Sequence, residues 1–212
     1  SASASFSRDD FLKYQFPVPT PRRLRVVETL GALDDKIELN LRLSETLESA
    51  TRTVFARMFL SGPDALQWPV ESLGDHVEAV RGLSYKGDGL ATTGTPLHNL
   101  HSIRAGGGYN ADGIKWYTGG HRERHLVAPG DIIVANTDLS RERLLIGFAA
   151  MVPVGFGSVS LYSHHLYRVR VKPESPLTAD YVYHLLNAAS MRGIVSGYSN
   201  GTTVQMLPVE AL

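Results

Sequence analysis

The sequence predicts an α+β protein in which one long α-helix is joined to a strand-rich domain with a short helix of its own. The long helix is predicted because no other proline lies between Pro21 and Pro63 and the residues between them favour helix. The domain is predicted because residues 67–212 consist of short apolar or alternating runs, each bounded by glycine or proline. A chain of 212 residues accommodates one such domain plus an appendage.

The composition excludes several classes of function. Lys plus Arg and Asp plus Glu both number 21, so no overall field points to nucleic acid, membrane or an acidic partner. The chain has no cysteine, which excludes a disulfide framework and thiolate metal sites. No apolar run approaches the roughly 20 residues that cross a bilayer, and the first residues lack the hydrophobic core of a signal peptide. We therefore expect an intracellular, cytoplasmic protein with no membrane segment.

The amino-terminal part divides into an extended segment, residues 1–20, and the long helix, residues 21–61. Thr20 suits the N-cap, and Pro21 suits the first helical position, where its missing N–H costs nothing. The Ser-Gly-Pro sequence at 61–63 supplies the stop signal. At 1.5 Å per residue this helix is roughly 60 Å long.

Residues at steps of three and four along the helix form a seam typical of a two-helix coiled coil. Polar residues weaken the seam, and they would also penalise slipped pairings. The alternative is that the same face packs on the helix's own domain. A helix of this length reaches past a domain about 30 Å across, which favours another partner for its far end. The predicted dimer seam is Leu30, Leu33, Ile37, Asn40, Ser44, Leu47, Thr51, Val54 and Met58.

The domain, residues 67–212, contains predicted strands in GDIIVANT (130–137), LLIGFAAMV (144–152) and SLYSHHLYRVRV (160–171). Its one helical pattern runs from Thr178, the N-cap, to about Ser196.

The motifs of catalytic and metal sites are missing. His121 and His125 lie in HRERH, which is not the HExxH zinc helix, and His164 and His165 would point to opposite faces of a strand. Residues 104–109, RAGGGY, lack the order of a phosphate or dinucleotide loop and are predicted to form a flexible surface loop. No GxSxG nucleophile and no motif that holds a flipped base for methyl transfer is found. We predict no cofactor, no metal and no catalysis within this chain.

Several polar loops mix basic, amide, hydroxyl and aromatic groups, which can contact phosphates and read bases in a major groove. The alternative for any one such loop is solvated surface. Base-edge contacts are expected from the asparagine, arginine and lysine residues, and phosphate contacts from Thr202 and Thr203. The predicted DNA-binding residues are Tyr85, Lys86, Lys115, Tyr117, His121, Arg122, Arg124, Asn136, Thr137, Arg141, Arg143, Asn200, Thr202 and Thr203.

Residues 28–48, ETLGALDDKIELNLRLSETLE, follow a proline-rich bend at 17–21. Together they resemble the helical spacer of the specificity subunits of type I restriction-modification systems. Short motifs then follow in the order found in that family's target recognition domain, so the likeness covers nearly the whole chain. These motifs are LGD (73–75), RG (81–82), GTPL (94–97), NL (99–100), LVAPGD (126–131), NT (136–137) and GTTVQ (201–205).

The resemblance implies a non-catalytic reader of double-stranded DNA that recruits methyltransferase and restriction subunits. Members of the family hold two recognition domains apart with two antiparallel helices, so the long helix would be a spacer. This chain has one recognition domain and one spacer helix. We therefore expect two copies to dimerise through antiparallel helices and to read a bipartite inverted repeat.

The order of segments differs from that of the family. QMLPVEAL (205–212) and FLKYQFPVP (11–19), which are adjacent in the family, lie at opposite ends here. We expect Leu212 to lie near Phe11, as in a circular permutant. The alternative is a fragment of a longer subunit.

Two other functions are left open. One is an adaptor, or antirestriction decoy, that recruits partners through its helix without binding DNA. The other is a hydrolase whose site follows no recognised motif.

Overall fold

The computed structural model describes residues 7–138, 145–198 and 205–209, without the side chains of residues 66, 196 and 205. The chain divides into two compact units, Ser1–Thr53 and Val54–Leu212. The first unit is helical, and the second contains two main sheets with short helices, so the predicted α+β class is confirmed. No described helix combines the length and the low polarity that a bilayer crossing requires. The expected proximity of Leu212 to Phe11 lies outside the described residues.

The first unit begins with a short helix, α1 (Arg8–Leu12), where the sequence predicted an extended segment. The Ser7 Oγ accepts a hydrogen bond from the Asp10 backbone N at 3.1 Å and donates to the Asp10 carboxylate at 2.6 Å. This local cap favours one helical turn and explains the difference. Residues 14–20, which follow, have no regular structure.

The long helix, α2 (Pro21–Phe55), begins where the sequence predicted. The Thr20 Oγ1 accepts a hydrogen bond from the Arg23 backbone N at 3.3 Å, and the Thr20 carbonyl accepts one from the Leu24 backbone N at 2.9 Å. Thr20 is therefore the N-cap, and Pro21 occupies the first helical position.

The helix continues beyond α2 as a π-helical segment, Ala56–Leu60, and ends there. The Ser61 backbone N donates to the Ala56 carbonyl at 2.9 Å, which closes the last turn. A Cβ on Gly62 would collide with the Arg57 carbonyl oxygen, so this position requires glycine. The predicted stop at residues 61–63 is confirmed.

Among its described residues the second unit has three more α-helices and several short 3-10 helices, and its strands form three sheets. The α-helices are α3 (Leu73–His76), α4 (Ala179–Leu186) and α5 (Ala189–Gly197). The strands are β1 (Val77–Arg81), β2 (Leu90–Ala91), β3 (Thr95–His98), β4 (Lys115–Tyr117), β5 (Leu126–Val127), β6 (Ile132–Ala135), β7 (Thr137–Asp138), β8 (Ala149–Met151), β9 (Ser160–Tyr162), β10 (Leu166–Val171) and β11 (Gln205–Met206).

The first sheet has the order β1-β10-β6-β8, and every neighbouring pair is antiparallel. The second has the order β2-β4-β3-β9-β5, in which only β3 and β9 are parallel. A short pair, β11 and β7, forms the third. The predicted strand regions contain β6 and β7, then β8, and then β9 and β10.

The core lies on both faces of the first sheet. Along β6, Ile132 and Val134 pack on the side of α4, whereas Ile133 and Ala135 pack on the opposite side. Side chains alternate across a strand, so a strand buried on both faces must be apolar throughout. This accounts for the uninterrupted run IIVA in the sequence.

The helix predicted from Thr178 to Ser196 is correct at its start but is broken in the middle. Thr178 Oγ1 accepts a hydrogen bond from the Tyr181 backbone N at 3.2 Å, as an N-cap does. Between α4 and α5, the Asn187 Oδ1 accepts from the Ala149 backbone N at 3.0 Å, and Asn187 Nδ2 donates to the Ala149 carbonyl at 3.2 Å. Because Asn187 is held by these hydrogen bonds to β8, α4 ends before it and a separate helix, α5, follows.

The glycine-rich segment 104–109 is packed, where the sequence predicted a flexible surface loop. Gly107 and Gly108 are buried, and φ is positive at Gly106, Gly107 and Gly108. A Cβ on Gly107 would lie 2.5 Å from the Asn187 Oδ1. The glycines are therefore needed because the loop passes directly over the Asn187 amide.

Candidate nucleic-acid interface

Two loops of the second unit close on the ring of Tyr117, at the end of β4. The rings of Tyr85 and Tyr117 meet edge to face, with centroids 5.8 Å apart. A Cβ on Gly89 or Gly119 would collide with the Tyr117 ring, so each loop lies directly against it. The prediction that Tyr117 is exposed is wrong, because this ring is part of a buried cluster beneath the loops.

The neighbours of Tyr117 include exposed groups suited to nucleic acid. Lys86 and Lys115 are exposed, and the Trp116 side chain keeps 36% of its surface accessible. Lysine binds phosphate as a point charge, and an exposed indole is a surface on which bases can stack. Tyr85 is half-buried.

A second group of basic side chains precedes β5. His121, Arg122 and Arg124 are exposed, whereas His125 is buried. The Arg122 backbone N lies 3.3 Å from the His125 Nδ1, and the Arg124 Nε lies 3.2 Å from the His125 Nε2. A neutral imidazole can accept only one of these hydrogen bonds, because its other nitrogen carries the proton. Burial lowers the pKa of His125, and the nearby charges of Arg124, Arg122 and His121 lower it further.

Buried polar groups hold the main chain of this loop in place. The Arg168 Nη1 donates a hydrogen bond to the Leu126 carbonyl at 2.8 Å. The Tyr162 hydroxyl lies 2.9 Å from the Arg124 carbonyl and 3.1 Å from the Val80 carbonyl, and its single hydrogen can serve either one. The loop before β5 is thereby fixed beside the end of β1.

His164 and His165 form a turn between β9 and β10, and their ring centroids lie 3.9 Å apart. The prediction that they point to opposite faces of a strand is wrong, because the chain turns at this point. The Arg81 Nε donates a hydrogen bond to the His164 carbonyl at 3.0 Å. The pKa of His165 is lowered by burial, and then by the positive charges of His164, Arg81 and Lys115.

Five exposed cations belong to these loops, and we call them the basic surface: Arg81 and Lys115 near the histidine turn, Arg122 and Arg124 beside His125, and Lys86 next to Tyr85 in the sequence. Within the described ranges none of the five forms an ion pair, whereas Arg170 on the same sheet as Arg81 pairs with Asp131 at 2.5 Å. Arg81 was not predicted as a contact. The signals in the sequence were its position before a glycine and the RG motif at 81–82, which belongs to the family resemblance.

Two predicted DNA contacts, Asn136 and Thr137, are buried in the structure, so the prediction that they lie in an exposed loop is wrong. The Asn136 Nδ2 donates to the His164 carbonyl at 3.0 Å, and the Thr137 Oγ1 lies 2.8 Å from the His165 Nδ1. Both side chains support the histidine turn from below. Five other predicted contacts lie outside the described residues: Arg141, Arg143, Asn200, Thr202 and Thr203.

A buried chain of hydrogen-bonding groups joins Ser160, His98 and Tyr109. The Ser160 Oγ lies 2.7 Å from the His98 Nε2, and the Tyr109 hydroxyl lies 2.8 Å from the His98 Nδ1. Burial lowers the pKa of His98 to about 4 and raises the pKa of Tyr109 to about 12. Because His98 is fully buried and Ser160 is 2% exposed, these groups cannot meet a substrate, and they act as a structural link.

The part of the chain that the structure describes contains no group of three or more histidine, aspartate or glutamate side chains able to hold a metal ion. The site is therefore described by charge and hydrogen bonding alone.

An apolar groove of about 540 Å³ also lies within the second unit. The Phe59 ring contacts Tyr181 edge to face, with centroids 5.2 Å apart, and it contacts Trp68 in the same way at 5.7 Å. Phe55, with a centroid distance of 5.3 Å to Tyr181, completes the aromatic wall. Its lining also includes polar side chains, among them His184.

The predicted seam of the long helix is exposed. Its apolar members are each 53–58% accessible, and Asn40, Ser44 and Thr51 are exposed as well. Met58 lies in the π-helical segment, beyond the end of α2. The exposed apolar members are Leu30, Leu33, Ile37, Leu47, Val54 and Met58.

No family model and no curated protein matches this chain. Several solved structures are similar to it, among them the following three. The first comes from work on complex assembly and conformational transition of the type I R-M system. It is 15% identical to this chain, the match covers 90% of this chain and 49% of that one, and the TM-score is 0.47. The type I restriction-modification system S subunit from M. genitalium shares 12% identity over 66% of this chain and 31% of its own, with a TM-score of 0.45.

The third is the HsdS subunit from Thermoanaerobacter tengcongensis, with 16% identity over 79% of this chain and 42% of its own and a TM-score of 0.42. This chain thus spans less than half the length of each of the three. The second and third are named as S and HsdS subunits, and the first comes from a type I R-M system, the family that the sequence motifs resemble.

Proposed function

We propose that this chain is a non-catalytic specificity subunit of a type I restriction-modification complex and that it binds double-stranded DNA. The observation that carries the proposal is the basic surface, whose exposed cations have no carboxylate partner among the described residues. The helix motif at residues 28–48 supports the choice of family. Because such a complex acts on DNA inside the cell, we propose a cytoplasmic location.

The chemistry of the basic surface fits contacts with the DNA backbone. Arg122 and Arg124 have guanidinium groups that can bind a phosphate through two parallel hydrogen bonds, and Lys86 and Lys115 can bind one as point charges. The loops that present these groups are fixed by Tyr117, Tyr162 and Arg168, so little ordering is needed on binding. Polar side chains on loops held by a rigid scaffold are a common arrangement for recognition.

Binding by the chain alone is expected to be weak. The formal charge of the whole sequence is +0, so long-range attraction to DNA is small. A few phosphate contacts give a shallow dependence of affinity on salt concentration. We propose that methyltransferase subunits, and a restriction subunit, supply the catalysis and much of the remaining contact with DNA.

The exposed seam of α2 supports a homodimer through antiparallel helices. Apolar side chains more than half accessible along a helix gain free energy when a second helix covers them. Two copies would present two recognition domains and read an inverted repeat with an unspecified gap.

The test is the affinity of the chain for a library of random duplexes, measured by mobility shift with and without a methyltransferase subunit. We expect binding that is strengthened by that subunit and weakened at least tenfold when Arg122 and Arg124 are both replaced by Ala, since two phosphate contacts are lost. Arg25→Ala, an exposed charge on α2, is the control and should leave affinity unchanged. The proposal fails if no duplex binds under either condition.

The alternative is an adaptor that binds partner proteins and no DNA. The apolar groove lined by Phe55, Phe59, Trp68 and Tyr181 favours it, since aromatic clefts are common in protein recognition. Non-cognate duplex at low salt separates the two functions. The adaptor shows no salt-sensitive binding there, whereas a specificity subunit does.

A further inference from the structure

The polar residues in the seam of α2 differ in the hydrogen-bond donors that remain free to pair with another helix. The Ser44 Oγ donates its hydrogen to the Asn40 carbonyl at 2.9 Å, and the Thr51 Oγ1 donates to the Leu47 carbonyl at 2.7 Å. Each hydroxyl therefore retains only acceptor lone pairs. The Asn40 amide, which is exposed, has no partner among the described residues and can donate two hydrogen bonds.

In an antiparallel pair of α2 helices, the alignment determines which seam residues face each other. In such a pair, core position a of one helix faces core position d of the other, and here Leu30 is an a position and Leu33 a d position. Suppose that the twofold axis crosses the pair beside Arg42, that is, at the level of residue 42, whose side chain points away from the seam. A residue that lies a given number of positions before 42 in one copy then faces the residue the same number of positions after 42 in the other. The facing pairs within α2 are then Leu30 with Val54, Leu33 with Thr51, Ile37 with Leu47, and Asn40 with Ser44.

This alignment matches the chemistry of the two helices. Each facing pair forms one layer of the interface. The layers of Leu30 with Val54 and of Ile37 with Leu47 are wholly apolar. In the layer of Asn40 with Ser44, the Asn40 amide donor meets the Ser44 acceptor of the other copy. Only the layer of Leu33 and Thr51 is mixed. Its cost is small, because the Thr51 hydroxyl is already hydrogen-bonded within its own helix.

The residues that flank the axis give a second, independent indication. Leu41 and Leu43 are 54% and 53% exposed, and they lie on either side of the core positions Asn40 and Ser44. In this alignment each leucine is next to the same leucine of the other copy. The four leucine side chains then cover the polar layers from both sides and exclude water from them.

Other alignments lose part of these matches. Sliding one helix by a heptad in one direction brings Ile37 opposite Asn40. Sliding it in the other direction pairs Asn40 with Thr51 and leaves one mixed layer, Ser44 with Leu47, but it places Leu41 beside Glu48 of the other copy instead of beside a leucine. A parallel pair would bring Leu41 next to Lys36 and Leu43 next to Glu48, so both leucines would meet charges. Burying an amide against an isoleucine leaves its hydrogen-bonding groups unpaired, which is costly.

We propose that two copies of this chain pair through α2 as antiparallel helices whose twofold axis passes beside Arg42. The inference rests on the proposed function for the existence of the dimer, and it adds the alignment that fixes the distance between the two copies. One contact opposes it: Asp34 of each copy lies near Glu48 of the other, so like charges meet at two places.

The experiment uses pairs of cysteines in the full chain, which has no cysteine of its own. A disulfide requires Cα atoms within about 7 Å, so only residues that face each other can form one. We expect the double variant Ile37→Cys, Leu47→Cys to form covalent dimers upon oxidation. Each single variant should not, because identical residues would lie ten positions apart, about 15 Å along the axis.

Three other results overturn the alignment. Dimers from Ile37→Cys alone indicate a parallel pair. Covalent dimers from the pair Leu30→Cys, Leu47→Cys or from the pair Ile37→Cys, Val54→Cys, without any from Ile37→Cys, Leu47→Cys, indicate a slipped alignment. A protein that light scattering finds dimeric but that no pair crosslinks must dimerise elsewhere.

A protein that is monomeric by light scattering at high concentration overturns the homodimer in the proposed function as well. DNA binding by that monomer would leave the recognition part standing, so the two failures are distinguishable. Circular dichroism of each variant shows that α2 is retained, which keeps misfolding from being read as a change of alignment.

Discussion

Tyr162 and Asn187 show how single buried side chains shape the second unit. The Tyr162 hydroxyl lies between the carbonyls of Val80 and Arg124, and burial raises the pKa of Tyr162 to about 12. Asn187 pairs with both backbone groups of Ala149. Each side chain satisfies main-chain groups far from it in sequence, which keeps irregular segments in one conformation.

The buried His98 makes folding stability depend on pH. Its pKa is about 4 in the folded protein because burial disfavours the charged ring, against 6.5 in an unfolded chain. Above pH 6.5 the ring is neutral in both states. Between 6.5 and 4 only the unfolded chain takes up the proton, so stability falls as pH falls, by about 3 kcal/mol in all from this group.

We therefore expect urea unfolding to show that His98→Gln loses less stability than the parent chain between pH 7 and pH 4.5. Gln can keep hydrogen bonds to Ser160 and Tyr109 but does not titrate in this range. His101→Gln, an exposed histidine on the next turn, is the matched control and should retain the parent's pH dependence. Equal slopes for the parent and His98→Gln would show that His98 does not hold the lowered pKa.

At the scale of elements, α2 is specified locally and the break before α5 is not. The Thr20 cap, Pro21 and the glycine of the stop signal act on their own neighbours, so the sequence alone predicts both ends of the helix. The break at Asn187 depends on Ala149, which is 38 residues away in the sequence. A helical period at 178–196 therefore predicts one helix where tertiary contacts produce two.

The alignment of α2 can also be tested by charge. In the proposed pair Asp34 approaches Glu48 of the other copy, so Asp34→Lys replaces two repulsions with two attractions. Exposed ion pairs contribute about 0.2–1 kcal/mol each, so we expect the dimer dissociation constant to fall by roughly fivefold or more at low salt. Sedimentation equilibrium measures it.

The matched control is Asp35→Lys, which makes the same charge change at a position that faces away from the seam. It should leave the dissociation constant within about twofold of the parent's, since exposed charges far from a partner are screened. If both variants tighten the dimer equally, only net charge matters and the alignment beside Arg42 is not supported.

At the scale of the whole molecule, a balanced composition does not show which charges lie together without an ion-pair partner. The sequence has equal numbers of acidic and basic residues, which argued against DNA. Folding places Arg81 and Lys115 beside the same histidine turn, and it leaves Arg122 and Arg124 around His125 without a carboxylate partner in the described ranges. Net charge therefore says little about one surface of a folded protein.

Only part of this surface could be predicted from the sequence. Lys86, Lys115, Arg122 and Arg124 were predicted because basic and aromatic residues share their loops. Asn136 and Thr137 follow an apolar strand in the same way that exposed loop residues do, and nothing local shows that the histidine turn covers them. Burial of polar groups depends on partners distant in sequence, so it cannot be read from composition.

In the proposed dimer, two copies joined through antiparallel helices hold two DNA-reading domains at a set separation. Selection from a library of random duplexes by the chain with its methyltransferase subunit, followed by sequencing, tests it most directly. Twofold symmetry predicts enrichment of an inverted repeat whose two halves are separated by one fixed gap. Enrichment of a single half-site, or of two halves at variable spacing, would contradict the claim.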